Sequence, residues 1–246
     1  MNKYRVGGRM VIPPVVKNLL IINVIFFLAT LGLQRSGTDL YDILGLHYFA
    51  SQNFKVYQFV TYMFMHGSFW HLFFNMFALW MFGGLLENTM GSKKFLTYYM
   101  VTGVGAGLIQ MLVYYFRISS IEAQLTPEQV ADVYQNGLDA LNTGMNYIDA
   151  KMASLNLLLN TGTVGASGAV FGILLAFGML FPNQMIYVYF AIPIKAKYFV
   201  IIYGLLELYM GVSNRAGDNV AHFAHLGGML FGIIMLMYWR NKYKRR

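Results

Sequence analysis

GTVGASGAVFG, Gly162 to Gly172, sets one serine, Ser167, among four glycines at the head of an apolar run. Glycine here is more than a turn signal, because Ala169 to Phe181 carries no charge at all. A small polar group entering a wholly apolar segment raises two questions: what solvent surrounds the segment, and what the hydroxyl faces.

The solvent follows from composition. The chain has 246 residues, 57% hydrophobic and 11% charged, where soluble domains carry about a quarter charged residues. Six apolar runs stand out, at about 18–34, 68–86, 95–116, 164–181, 198–212 and 220–239, most near the roughly 20 residues that cross a bilayer. The fifth is short and contains Glu207. The expected fold is an all-α membrane protein, a bundle of six transmembrane helices. The first run is longer than a signal-peptide core and has no small-residue cleavage pattern after it, so it is read as a retained span. With no cysteine in the chain, disulfides, thiolate metal sites and a cysteine nucleophile are excluded.

The net charge of +8 is distributed unevenly. With the N-terminus cytoplasmic, thirteen basic residues fall on one side (Lys3, Arg5, Arg9, Lys17, Lys93, Lys94, Lys195, Lys197, Arg240, Lys242, Lys244, Arg245, Arg246) and five on the other (Arg35, Lys55, Arg117, Lys151, Arg215). That bias fits both termini in the cytoplasm. The basic tail is then a topology signal and a contact for anionic membrane lipid, not a nucleic-acid site. The expected organisation is a cytoplasmic tail at 1–15, a membrane domain at 16–240 and a basic cytoplasmic tail at 241–246.

Between the third and fourth runs lies a polar insertion, about 118–161, with five of the ten acidic residues. Within it Thr126-Pro127-Glu128-Gln129 has the form of a capping box with proline in the first turn. Val130, Tyr134, Leu138 and Leu141 follow at helical spacing, predicting an amphipathic helix on the non-cytoplasmic side.

Ionisable groups inside apolar spans are costly unless they face protein or water. The second span reads HGSFWHLFFNMFALWMFGG, with His71 and Asn75 on one helix face and His66 just before the helix. The sixth reads DNVAHFAHLGGMLFG, aligning His222, His225, Gly228 and Gly232. Small-residue stripes at Gly165, Gly168 and Gly172 and at Gly228 and Gly232 let spans four and six approach closely, within hydrogen-bond reach of Ser167 for His225. A serine beside an imidazole that takes its proton is a nucleophile. His71, Asn75 and the Ser167 N–H at a helix start are suitable oxyanion donors.

These motifs together, HxxxxHxxxN (His66, His71, Asn75), GxSG with a further glycine (Gly165, Ser167, Gly168, Gly172) and AHxxG (Ala224, His225, Gly228), resemble the rhomboid intramembrane serine proteases of the bacterial six-span type. Glu87, Gly91 and Ser92 are similar to the family's E...GS segment. The resemblance implies Ser167 as nucleophile, His225 as general base, and an oxyanion hole of His71, Asn75 and the Ser167 N–H. It further implies a supporting role for His66 and an aromatic, Phe171, packed on the catalytic imidazole. The implied substrates are transmembrane proteins, cut at small residues near helix-destabilising ones, without a cofactor.

Tyr57-Gln58 stands where many members have Trp-Arg, a departure whose structural consequence the sequence leaves open. Asp218 lies seven residues before His225 and is expected to cap the sixth span, leaving a Ser-His dyad. His222 is expected to make a structural contact, and Glu207 either pairs inside the bundle or faces a wet cavity. A metal site is disfavoured because HExxH is absent. A rhomboid-like binding module that lacks catalysis, and a small-solute transporter, are the competing readings; the latter lacks duplicated halves. The expected location is a bacterial cytoplasmic membrane.

Overall fold

The computed structural model describes residues 12–188, 191–213 and 221–244. Helix α1 (Pro14–Gln34) is followed by the short α2 (Leu40–Leu44) and α3 (Gln58–Thr61) of the first loop. The second span is α4 (Phe69–Ala78), a π-helical stretch at 79–83, and α5 (Gly84–Met90). Then come α6 (Ser92–Glu122), α7 (Pro127–Asn142), α8 (Ala150–Asn160) and α9 (Ser167–Leu180). A hairpin of β1 (Met185–Val188) and β2 (Ile192–Lys195) leads into α10 (Ala196–Ser213), and α11 (His222–Lys244) completes the order.

Among the described residues five helical stretches are long and apolar enough to cross a membrane: 14–34, 69–90, 92–122, 196–213 and 222–242. They coincide with five of the six expected runs. The remaining run forms α9, which has only 14 residues, about 21 Å at 1.5 Å per residue. It is short because 161–166 is not helical, and it is enclosed by protein, with every residue from Gly168 to Gly178 buried. Irregular backbone beside a span is tolerated where protein covers it.

The burial pattern is that of a molecule dissolved in lipid. Ile21, Ile25 and Leu28 of α1 and Ile201, Leu205 and Tyr209 of α10 point outward, while Asn23, Thr102, Gln110, Glu207 and His225 are buried. Lipid solvates the apolar exterior, and each interior polar group is left to find a protein partner. The protein is an integral membrane protein.

Helices α6, α9 and α11 form the packed centre. A Cβ on Gly228 would collide with the Gly168 carbonyl, and one on Gly172 would stand 2.6 Å from Thr102 Cβ. Tyr98 of α6 donates its hydroxyl to Gly172 O at 2.9 Å, tying α6 to α9 at the same level. Gly168 and Gly228 thus set the backbone-to-backbone contact expected between α9 and α11, whereas Gly172 and Gly232 make room for Thr102 and Tyr98 of α6 and Gly165 for His71.

At the other end, Glu87 explains the E...GS segment. Its carboxylate accepts from Val15 N at 3.0 Å and Val16 N at 2.8 Å, at the start of α1, and from Ser92 Oγ at 2.6 Å. An anion at a helix N-terminus meets unpaired N–H groups and the positive dipole end. Gly91, at φ +83°, turns the chain from α5 into α6.

The insertion is more ordered than its composition suggests. The capping box at Thr126 and Gln129 is present, and α7 follows as expected. Its inner face centres on Val133 and Gly137, with Val130, Tyr134, Leu138 and Leu141 half-buried beside them. Helix α6 runs on to Glu122, past the expected boundary at 118, and α8 lies within the insertion. Asn156 of α8 donates to Gly137 O at 2.9 Å, fastening α8 to α7, and Asn160 of the same helix donates to Asn156 Oδ1 at 2.8 Å, holding that amide in place.

Candidate active site

The segment before Ser167 is held from several directions. Leu46 and Thr163 exchange two backbone hydrogen bonds of 2.9 Å, and Gly165 N donates to Tyr62 O at 2.9 Å. Gly165 takes φ +132°, outside the range L side chains adopt readily. A Cβ there would also lie 2.8 Å from His71 Nε2. This turn delivers Ser167 as the first residue of α9, where N–H groups have no intrahelical acceptor.

Ser167 is half-buried, and its Oγ is 2.7 Å from His225 Nε2. The Phe171 ring lies flat on the His225 imidazole, with centroids 4.2 Å apart and planes at 6°. The aromatic one turn after the serine thus fixes the imidazole plane. His225 Nδ1 meets Glu207 Oε2 at 2.8 Å, and His222 Nδ1 meets the same oxygen at 2.7 Å. All three groups are buried, Glu207 at 5% exposure. Glu207 therefore has partners, which the sequence left unassigned.

His71 reaches this centre from α4, its imidazole beside Gly165, and its N–H is capped by Ser68 Oγ at 3.1 Å. Asn75 is buried and donates Nδ2 to His71 O at 2.8 Å, one turn back, which uses one of its two amide protons. His66, 1% exposed, packs edge-on against His71 with centroids 5.0 Å apart. Its carbonyl accepts from Tyr41 OH at 2.9 Å, linking α2 to the site's edge. Burial, then the neighbouring His71, holds the His66 imidazole down to about 3.

Gln58 answers the question raised by the missing Trp-Arg pair. Fully buried, it accepts from His47 N and Lys55 N, both at 3.2 Å, and donates to Ile43 O at 3.2 Å and Asn53 O at 2.8 Å. One amide satisfies four backbone groups and pins the first loop. Asp218 lies outside the described residues.

Among the described residues, Glu207, His222 and His225 are a set of metal-ligand type, their donor atoms within 4.8 Å of one another. Imidazole and carboxylate ligands about 2.0–2.1 Å from a tetrahedral zinc stand about 3.3 Å apart. The contacts of 2.7 and 2.8 Å are shorter than that and have hydrogen-bond geometry.

The rhomboid domain profile matches residues 53–242. The mitochondrial Rhomboid protein 1 of Saccharomyces cerevisiae is 28% identical over 175 residues, 71% of this chain and 39% of its own length. Rhomboid-like protein 11, chloroplastic, of Arabidopsis thaliana is 28% identical over 188 residues, 73% of this chain and 51% of its own length. Rhomboid protease GlpG of Haemophilus influenzae is 33% identical over 97 residues, 38% of this chain and 50% of its own length. The chain thus spans from about two fifths to about one half of the length of these relatives. They come from mitochondria, chloroplasts and a bacterium, so they give the expected bacterial cytoplasmic membrane no support.

Proposed function

The chain belongs to the rhomboid family, and from that premise we propose that it is an intramembrane serine protease with Ser167 as nucleophile and His225 as general base. The observation that carries this reading is the 2.7 Å contact between Ser167 Oγ and His225 Nε2. Its substrates are membrane proteins, cut in or near a transmembrane segment. Backbone in an intact helix is already hydrogen-bonded, so the substrate unwinds locally before attack.

In the reaction, Ser167 Oγ bonds to the scissile carbonyl carbon while its proton passes to His225 Nε2 and the carbonyl π pair moves onto oxygen. His71, the free amide proton of Asn75 and the Ser167 N–H stabilise that oxyanion, each donor being worth about 3–4 kcal/mol. Collapse breaks the C–N bond, and His225 returns the proton to the leaving amine. Water then gives a proton to His225 and attacks the acyl carbon, and Ser167 leaves with that proton. Phe171 keeps the imidazole in plane, and His66 backs His71.

The test is cleavage of a labelled transmembrane substrate by purified protein in proteoliposomes. Cleavage by the native chain and none by Ser167→Ala is expected. Capture of substrate without products would instead indicate a binding module, and solute flux that survives Ser167→Ala would indicate a transporter.

A further inference from the structure

We propose that Glu207 is a positioning residue that extends the Ser167–His225 pair into a serine-histidine-glutamate relay, with His222 as the clamp that holds the carboxylate in place. The inference rests on the protease reading above. An ionised carboxylate only accepts hydrogen bonds, so a nitrogen 2.7 or 2.8 Å from Oε2 must carry the proton. His225 Nδ1 is therefore the N–H, and in the neutral ring Nε2 is left as the lone pair facing Ser167 Oγ. That is the tautomer a general base needs.

The second imidazole has a distinct part. His222 Nδ1–H donates to the same oxygen, so one carboxylate oxygen is fixed by two donors from successive turns of α11. Glu207 stands on α10, a separate element, so the contact also fastens α10 to the face of α11 that carries the base. Phe171, stacked flat on the ring, restrains rotation about the His225 Cβ–Cγ bond; the carboxylate fixes which of the two ring nitrogens carries the proton.

The expectation is tested with Glu207→Gln and His222→Ala in proteoliposomes, using cleavage kinetics together with nitrogen NMR of ¹⁵N-histidine-labelled protein. The His225 signals are identified by their loss in His225→Ala. In Glu207→Gln an amide proton can point at Nδ1 and favour the opposite tautomer; by analogy with the corresponding change in a soluble triad, kcat should fall by roughly 10²–10⁴. KM should change little, since no substrate contact is lost, and the His225 proton should move from Nδ1 to Nε2. Glu207→Asp should recover part of the rate. His222→Ala should lower kcat about tenfold, with the same direction of change at His225.

A Glu207→Gln enzyme within threefold of native kcat, or an unchanged His225 tautomer in both variants, would overturn the proposal. So would activity abolished by a chelator and restored by zinc, because the three side chains would then be metal ligands. If the native protein cleaves nothing, the protease reading fails, and the NMR arm still decides whether Glu207 sets the His225 tautomer.

Discussion

Gly165 carries two constraints at a single residue: φ +132° and a Cβ position 2.8 Å from His71 Nε2. Gly165→Ala should cost about 1–3 kcal/mol through the backbone alone. It should also displace His71 and lower kcat at least tenfold, measured as thermal stability and cleavage of the same preparation. Unchanged kinetics would mean that His71 takes no part in the chemistry. At this scale the sequence was most legible where a motif had a fixed order: Ser167 and His225 meet as the small-residue spacing allowed, and Phe171 lies on the imidazole as the family resemblance implied. It was least legible for Glu207, which reaches His222 and His225 across a helix-to-helix connection that no periodicity records.

Gly228→Val would drive a side chain into the Gly168 carbonyl and part α9 from α11. Overpacking costs about 1–3 kcal/mol, and the Ser167 to His225 contact should be lost with it. Fluorophosphonate labelling should fall to the Ser167→Ala background. Glu87→Gln keeps the size of the side chain but removes the anion that accepts from α1 and Ser92. It should destabilise the protein by about 2 kcal/mol, seen as a lower melting temperature, with kcat unchanged once folded. The long helices were readable because hydropathy runs map directly onto bilayer thickness. The β1–β2 hairpin, the π-helical stretch at 79–83 and α8 were not, because each is set by tertiary contacts in a short stretch. Gln58 shows the same limit: its role as a four-bond staple depends on where the first loop folds, not on its neighbours in sequence.

For the whole molecule, the interior is polar where the site lies and the exterior is apolar, so stability depends in part on keeping the buried His66 imidazole neutral. His66 is held neutral down to about 3, below its ordinary value of 6.5. The unfolded chain therefore binds this proton first as pH falls, and the folded state loses stability from about 6.5 downward until about 3. Each pH unit in that window costs about 1.4 kcal/mol from this group. Melting temperature in detergent should drop between pH 7 and pH 4, and His66→Gln should flatten the drop. An identical slope in the variant would place the acid sensitivity elsewhere.

The central claim is that the Ser167 hydroxyl is activated by the His225 imidazole. The most direct measurement is mass-spectrometric mapping of the adduct after treatment of native protein, Ser167→Ala and His225→Ala with a fluorophosphonate. An adduct on Ser167 in the native chain, absent from both variants, is the expected result. An adduct on another residue, or equal labelling of Ser167 when His225 is replaced, would contradict it.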